Sequence, residues 1–270
     1  MLTLKQAMKR ISLITVFVSG TAAAVWYGYQ TVNHYRNHDP KYTINGIIQT
    51  SSTSHYVETQ TLAEWLDLSA DRPKNLYQYD IQKATKTLKS FSFFSKVAVK
   101  KYPPSILYVD YTLRQPIAKV ADFENTAIDS EGVLFPLHPF YGSLKLPSVY
   151  LGLTNTEKVW GSQIQGDTFT LAYELISRIQ SHLTTDFLKL ELVDTSVAYS
   201  DQVANKEIVL TFSVFKESQW KPLYVRMHLN DYDGAYGQLI TLLKKKDLFD
   251  KPVKTIDLRL KNSAIISLYS

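Results

Sequence analysis

The residues able to do chemistry are scattered along this chain, not gathered. Six histidines and no cysteine occur in 270 residues. Without a thiol there is no thiolate nucleophile, no thiolate metal site and no disulfide. No H-E-x-x-H, G-x-S-x-G, P-loop or G-x-G-x-x-G pattern is present. The spacing therefore offers no zinc hydrolase site, no serine nucleophile elbow and no phosphate cradle. His138 stands before Pro139 and reads as a turn residue. Asp231-Tyr232-Asp233-Gly234 imitates the start of a calcium loop, but glycine is missing at the sixth position and glutamate at the twelfth. It reads as a plain turn before a helix. Glu191 and Asp194 lie three residues apart on a candidate strand, on different sides, which makes a poor acid–base pair. The expectation is a chain that is not an enzyme, with no catalytic, metal or cofactor residues.

Composition narrows what remains. Hydrophobic residues make up 45% and charged residues 20%, as in a folded protein. The net charge is +5 and the pI about 9.0, an ordinary solvated surface. Lys96, Lys100 and Lys101 form the densest basic group, on a strand and turn. A nucleic-acid surface needs a denser patch with aromatics between, so neither nucleic acid nor a small-molecule substrate is expected as a partner.

The elements that must position any site follow from periodicity. From Tyr42 to Gln49, Tyr42, Ile44 and Ile47 alternate with polar residues as in a strand. Thr61-Leu62-Ala63-Glu64 has capping-box spacing for a short helix. Asp80 can cap a second helix, with Ile81, Ala84, Leu88 and Phe91 on one face. Strands follow from Phe94 to Lys101 and from Ile106 to Thr112, separated by Pro103-Pro104, which cannot continue a helix or donate to a ladder. The order is β-α-α-β-β. Later strands are expected over 118–123, 132–135, 148–151, 188–194, 207–215, 223–229, 255–260 and 264–268, and helices over 167–183 and 235–246. Mixed strands and helices imply an α+β fold class with a multistranded sheet in the C-terminal part.

The N-terminus is read differently. From Ile11 to Tyr29 the chain is uncharged and mostly apolar. About 19 residues at about 1.5 Å rise nearly span a bilayer core. Lys5, Lys9 and Arg10 precede the run, and no acidic residue appears before Asp39. By the positive-inside rule the N-terminus stays in the cytoplasm. Trp26, Tyr27 and Tyr29 would form an interfacial belt. The alternative is a cleaved signal peptide with Ala22-Ala23-Ala24 as the small-residue site; Val25-Trp26-Tyr27 extends the apolar run beyond it. The expected divisions are a cytoplasmic tail at 1–10, a transmembrane helix at 11–29, a linker at 30–41, a first domain at 42–117 and a β-rich domain at 118–270. The lipid bilayer is expected as a partner from Ile11 to Tyr29.

Three motifs in order carry a resemblance. Tyr102, Pro103, Leu107, Val109, Arg114, Pro116 and Ala118 fill the pattern that closes a POTRA domain in the FtsQ/DivIB family of bacterial division proteins. Leu113 stands where that family usually has Glu. Ile128-Asp129-Ser130-Glu131-Gly132-Val133-Leu134-Phe135-Pro136 is similar to its next strand pair. Ile256-Asp257-Leu258-Arg259-Leu260 is similar to a segment near its end, with Leu260 replacing a Tyr and Ser263 a Gly. The resemblance implies a POTRA domain over 42–117, a single-pass type II protein of the inner membrane at the division septum, and a non-catalytic scaffold. Its implied partners are FtsB- and FtsL-like division proteins, and its implied role is in septal peptidoglycan synthesis. The implied partner-binding residues are Arg259, Leu260, Ala264, Ile265, Ile266, Ser267 and Leu268. The residues give a parallel argument: Asn262-Ser263 reads as a turn, so the last strand has one open, apolar edge. Competing functions are a POTRA-type polypeptide-binding chaperone and a membrane-tethered cell-wall enzyme.

Overall fold

The computed structural model describes residues 4–142, 144–154, 159–183, 186–201, 206–216 and 218–269, with side chains from Thr15 onward except those of Lys246 and Asp247. The chain divides into two units, one of Met1–Ser90 with Lys96–Thr112, the other of Phe91–Ser95 with Leu113–Ser270.

The first unit starts with helix α1 (Leu4–His38), followed by β1 (Gly46–Ser51), α2 (Thr59–Trp65), α3 (Ile81–Lys89), β2 (Phe94–Tyr102) and β3 (Ile106–Leu113). The three strands form one sheet in the order β1-β3-β2, with β1 parallel to β3. Alternate residues of β3, Leu107, Val109 and Tyr111, are buried, so one sheet face is covered. Leu62 on α2 and Ala84 and Leu88 on α3 are buried too. Asp80 caps α3, its Oδ1 accepting from the backbone N–H groups of Gln82 and Lys83 at 3.0 and 2.9 Å. Ile81 and Phe91 are only half-buried. Helix α2 begins at Thr59 behind Glu58, not at Thr61, and no side chain caps it. The Tyr111 hydroxyl accepts from Val57 N–H and donates to Gln49 Oε1, both at 2.9 Å, and so keeps its phenol paired under cover.

Among the described residues no helix is long and apolar enough to cross a membrane. This corrects the expected anchor from Ile11 to Tyr29, and with it the bilayer as a partner and the inner-membrane location. The side chains of residues 11–14 lie outside the described residues. Ser19, Gly20 and Thr21 dilute the apolar run, and Gln30 opens a polar one. The helix also continues through most of the expected linker, because no breaker occurs before Pro40.

The second unit is a nine-stranded sheet with helices on one face. Its elements are β4 (Pro116–Val120), β5 (Thr126–Asp129), β6 (Leu134–Pro136), β7 (Ser148–Tyr150), α4 (Asp167–His182), β8 (Leu188–Asp194), β9 (Glu207–Lys216), β10 (Gln219–His228), α5 (Tyr232–Leu243), α6 (Lys246–Phe249), β11 (Val253–Asp257) and β12 (Ile265–Leu268). The sheet order is β12-β11-β10-β9-β8-β7-β4-β5-β6. Leu210, Phe212, Val225 and Met227 on the strands share a buried cluster with Leu175 and Ile176 of α4 and Leu239 of α5. The opposite face leaves Phe215, Trp220 and Tyr224 exposed. Strand β10 starts four residues earlier than Leu223 and runs through Pro222. Phe215 N–H donates to Phe187 O just before β8, so Ser213 N–H also points to the β8 side and its partner Pro222 faces β11, which meets β10 only at 224–226. The missing donor therefore empties no rung.

Arg114 and Asp129 tie the entry of this sheet together. Arg114 Nη1 lies 2.6 Å from Asp129 Oδ2 and 3.0 Å from Glu131 Oε2, while Arg114 Nε donates to Ser92 O at 3.0 Å. Asp129 Oδ1 accepts from Glu131 and Val133 N–H at 3.0 and 2.9 Å. Gly132 closes this turn at φ +81, and a Cβ there would meet Ile164 O at 2.4 Å, so only glycine fits.

Leu88→Ala should lower the unfolding free energy of the chain by about 2–5 kcal/mol, since it empties a fully buried site. Asp129→Ala should remove about 3–5 kcal/mol by stranding a largely buried guanidinium. Denaturant titration of the full chain checks both, and a change under about 0.5 kcal/mol, typical of exposed positions, counts against either.

Candidate protein-binding edge

The two ends of the large sheet are finished differently. At one end β6 pairs with β5, and its outer side is covered by a returning segment. Leu134 N–H donates to Ser162 O at 3.0 Å, and Gly161 N–H donates back to Leu134 O at 2.7 Å. All three β6 residues are buried. At the other end β12 pairs antiparallel with β11, Ile256 opposite Ile266 and Asp257 opposite Ile265. No strand lies on its far side among the described residues. Ile265, Ile266 and Leu268 are 54%, 40% and 48% exposed, so three large aliphatic residues stand on an open edge.

The turn into β12 is held by charge. Asp257 accepts three hydrogen bonds from the Arg259 guanidinium, of which Nη2 to Oδ2 is the shortest at 2.6 Å, and a fourth from the Arg259 backbone N–H at 3.1 Å. Glu207 on β9 is paired in two places with Arg226 on β10, Nη2 to Oε2 being 2.8 Å, and lies 3.9 Å from Arg259 Nη1. Leu258 N–H donates to Arg226 O at 2.8 Å. These contacts weld the ends of β9, β10 and β11 together just before the chain reverses. Asn262 takes φ 58, a left-handed conformation that asparagine tolerates, and Ser263 N–H donates to Leu260 O at 3.2 Å. Beyond β12, Tyr269 N–H donates to Pro252 O at 2.7 Å and its hydroxyl donates to Pro222 O at 2.5 Å, which pins the strand's end.

Beside the edge lies a groove of about 350 Å³ lined by Leu242, Lys245, Leu248, Lys251, Val253, Ile266 and Leu268. Its lining combines five aliphatic residues with Lys245 and Lys251. Such a groove can take an apolar side chain from a strand added to β12.

The residues expected to bind a partner thus lie on one short stretch, but not in equal roles. Ile265, Ile266, Ser267 and Leu268 form the strand, and Ala264 leads into it. Leu260 is exposed in the turn. Arg259 is already committed to Asp257, so its guanidinium is a local brace and not a free receiver of an incoming carboxylate. Glu207 and Arg226 were not foreseen, for they meet only across paired strands, and no short-range spacing announces that. Helix α5 stops at Leu243, and Lys245 just beyond it lines the groove.

Arg259 holds the Asp257 carboxyl below its ordinary value, against an opposing effect of burial. A carboxylate with a depressed folded value adds stability that is fully present above its unfolded value, about 3.9, and is lost as pH falls through the folded one. Asp257→Asn should therefore melt below the native chain near neutral pH, with the gap closing as pH drops toward about 3. Thermal melts across that range check it; a gap that stays constant with pH removes the ion pair as its cause. Scans of the chain against protein-family models and against curated proteins find no match.

Proposed function

We propose that this chain is a non-catalytic binding scaffold of the FtsQ/DivIB kind, which captures a partner strand on the open edge of β12. The single observation behind this reading is the contrast between the covered β6 edge and the open, aliphatic β12 edge. An uncovered row of backbone donors and acceptors carrying Ile265, Ile266 and Leu268 is an aggregation hazard unless something pairs with it. The partner chemistry that fits is an extended segment with apolar side chains, and FtsB- and FtsL-like division proteins are its proposed source. Two further features support the resemblance. The first unit has the β-α-α-β-β order of a POTRA-type domain, and Arg114 before Pro116 enters the second unit as the family motif implies. The downstream role would be control of septal peptidoglycan synthesis by assembly, without turnover at this chain.

The experiment is co-purification. A tagged full-length chain should retain an FtsB-like partner from the source cells. Deleting residues 264–270, or substituting Ile266→Pro, should reduce recovery roughly tenfold or more, as expected for losing an edge-strand interface. The melting of the first unit should stay unchanged. Recovery at native yield by the truncated chain removes β12 as the capture edge.

A further inference from the structure

The three-stranded sheet of the first unit also has two ends, and they are guarded unequally. On β2 the exposed Lys96 and Lys100 place charges along the edge, a common device against strand addition. On β1 the sequence Gly46-Ile47-Ile48-Gln49-Thr50-Ser51 has no charge at all. Its outer side is paired only at its approach. Ile44 N–H donates to Lys74 O at 2.9 Å, and Leu76 N–H donates to Tyr42 O at 2.8 Å, an antiparallel bridge of Thr43 with Asn75. That bridge ends at Pro73, which has no N–H to offer. From Gly46 onward no strand accompanies β1 on that side among the described residues.

The space vacated there is a cavity. About 550 Å³ lies against Ile44, Gly46 and Ile47, with Ala63 of α2 and Leu68, Ala70 and Pro73 among its other walls. A Cβ added at Gly46 would meet nothing within 4 Å, so backbone can approach closely at that point. Gln49 Nε2 donates to Thr59 Oγ1 at 2.9 Å and ties β1 to the first turn of α2. Lys74 is the one charged residue in the lining, and it is paired with Asp67. The cleft is therefore close to neutral.

We infer that β1 is a second strand-accepting edge, and that its occupant is an extended, uncharged peptide segment that puts an aliphatic side chain into the cavity beside Ala63 and Leu68. The bridge at Thr43 shows that this side of the chain pairs antiparallel, so the incoming segment continues the line that residues 74–76 begin. Backbone hydrogen bonds hold the segment, and the neutral cavity rejects a charged side chain, whose burial would go unpaid. This site lies in the other unit from β12 and does not depend on what β12 binds.

The test uses the full chain and a defined probe, the blocked peptide Thr-Val-Thr-Leu-Thr-Val-Thr, beside the same peptide with Asp at its centre. Backbone amide exchange is followed by mass spectrometry. The Leu peptide should slow exchange over residues 46–51 roughly tenfold, while the Asp peptide should need at least about tenfold higher concentration for the same effect. Ala63→Phe fills the cavity, and Ile48→Lys puts on β1 the guard that β2 carries at an exposed position; each should abolish the slowing while the unliganded melt stays unchanged. The chain lacking residues 264–270 should keep it. No slowing at 46–51, equal slowing in both substituted chains, or slowing confined to 265–268 would each overturn the inference.

Discussion

The buried ion pair of Arg114 with Asp129 is the constraint on which the second unit is built. A guanidinium this well covered needs acceptors for its inward donors, and it has them: Nη1 meets Asp129 and Glu131, and Nε donates to the Ser92 carbonyl. The same carboxylate takes two N–H groups of the turn between β5 and β6, so one side chain sets both the entry of β4 and the shape of the hairpin beside it. Tyr141 closes the arrangement, its hydroxyl donating to Arg114 O at 2.8 Å, and burial pushes its phenol well above the ordinary range. With that end of the sheet fixed and covered, the order of strands can run outward to an end that is left open.

Charge at the open end works differently. Glu207, Arg226, Asp257 and Arg259 are partly exposed, so each pair adds little stability by itself. Their value lies in register. Glu207 joins β9 to Arg226 on β10 and to Arg259 just past β11, and a slip of β11 by one residue would draw Arg259 away from Glu207 and turn Ile256 out of the core. The edge strand can then remain short and apolar while its position stays defined.

Much of this was legible in the residues. Helices α3, α4 and α5 showed themselves by apolar spacing, and Asp80 as a cap. The Asn262-Ser263 turn and the final strand were readable because a polar pair separates two aliphatic runs. Strand β5 was not marked by periodicity, since all four of its residues are buried and do not alternate; only the resemblance around Ile128 and Asp129 pointed to a strand pair there. The start of β10 was hidden by Pro222, a residue that argues against an interior strand until one knows which side of the ladder it faces. Thr61 had capping-box spacing, yet Glu58 comes first and the helix begins there. The partner of Arg114 was obscured as well. Leu113 replaces the acid that the family motif would set beside it, and the carboxylate that answers lies fifteen residues on, reached only by folding.

The sheet edges give the clearest link between physics and use. Among the described residues the two sheets present four edges. The β6 edge is covered by residues 161–164, and the β2 edge bears lysines. The β12 and β1 edges have neither protection, and each lies against a cavity with aliphatic walls. The two cavities differ in charge. Lys245 and Lys251 line the one at β12, while Lys74 at β1 is neutralised by Asp67. An acidic flank on an incoming strand would favour the first and gain nothing at the second, so the same backbone chemistry can sort two segments without exchange between them.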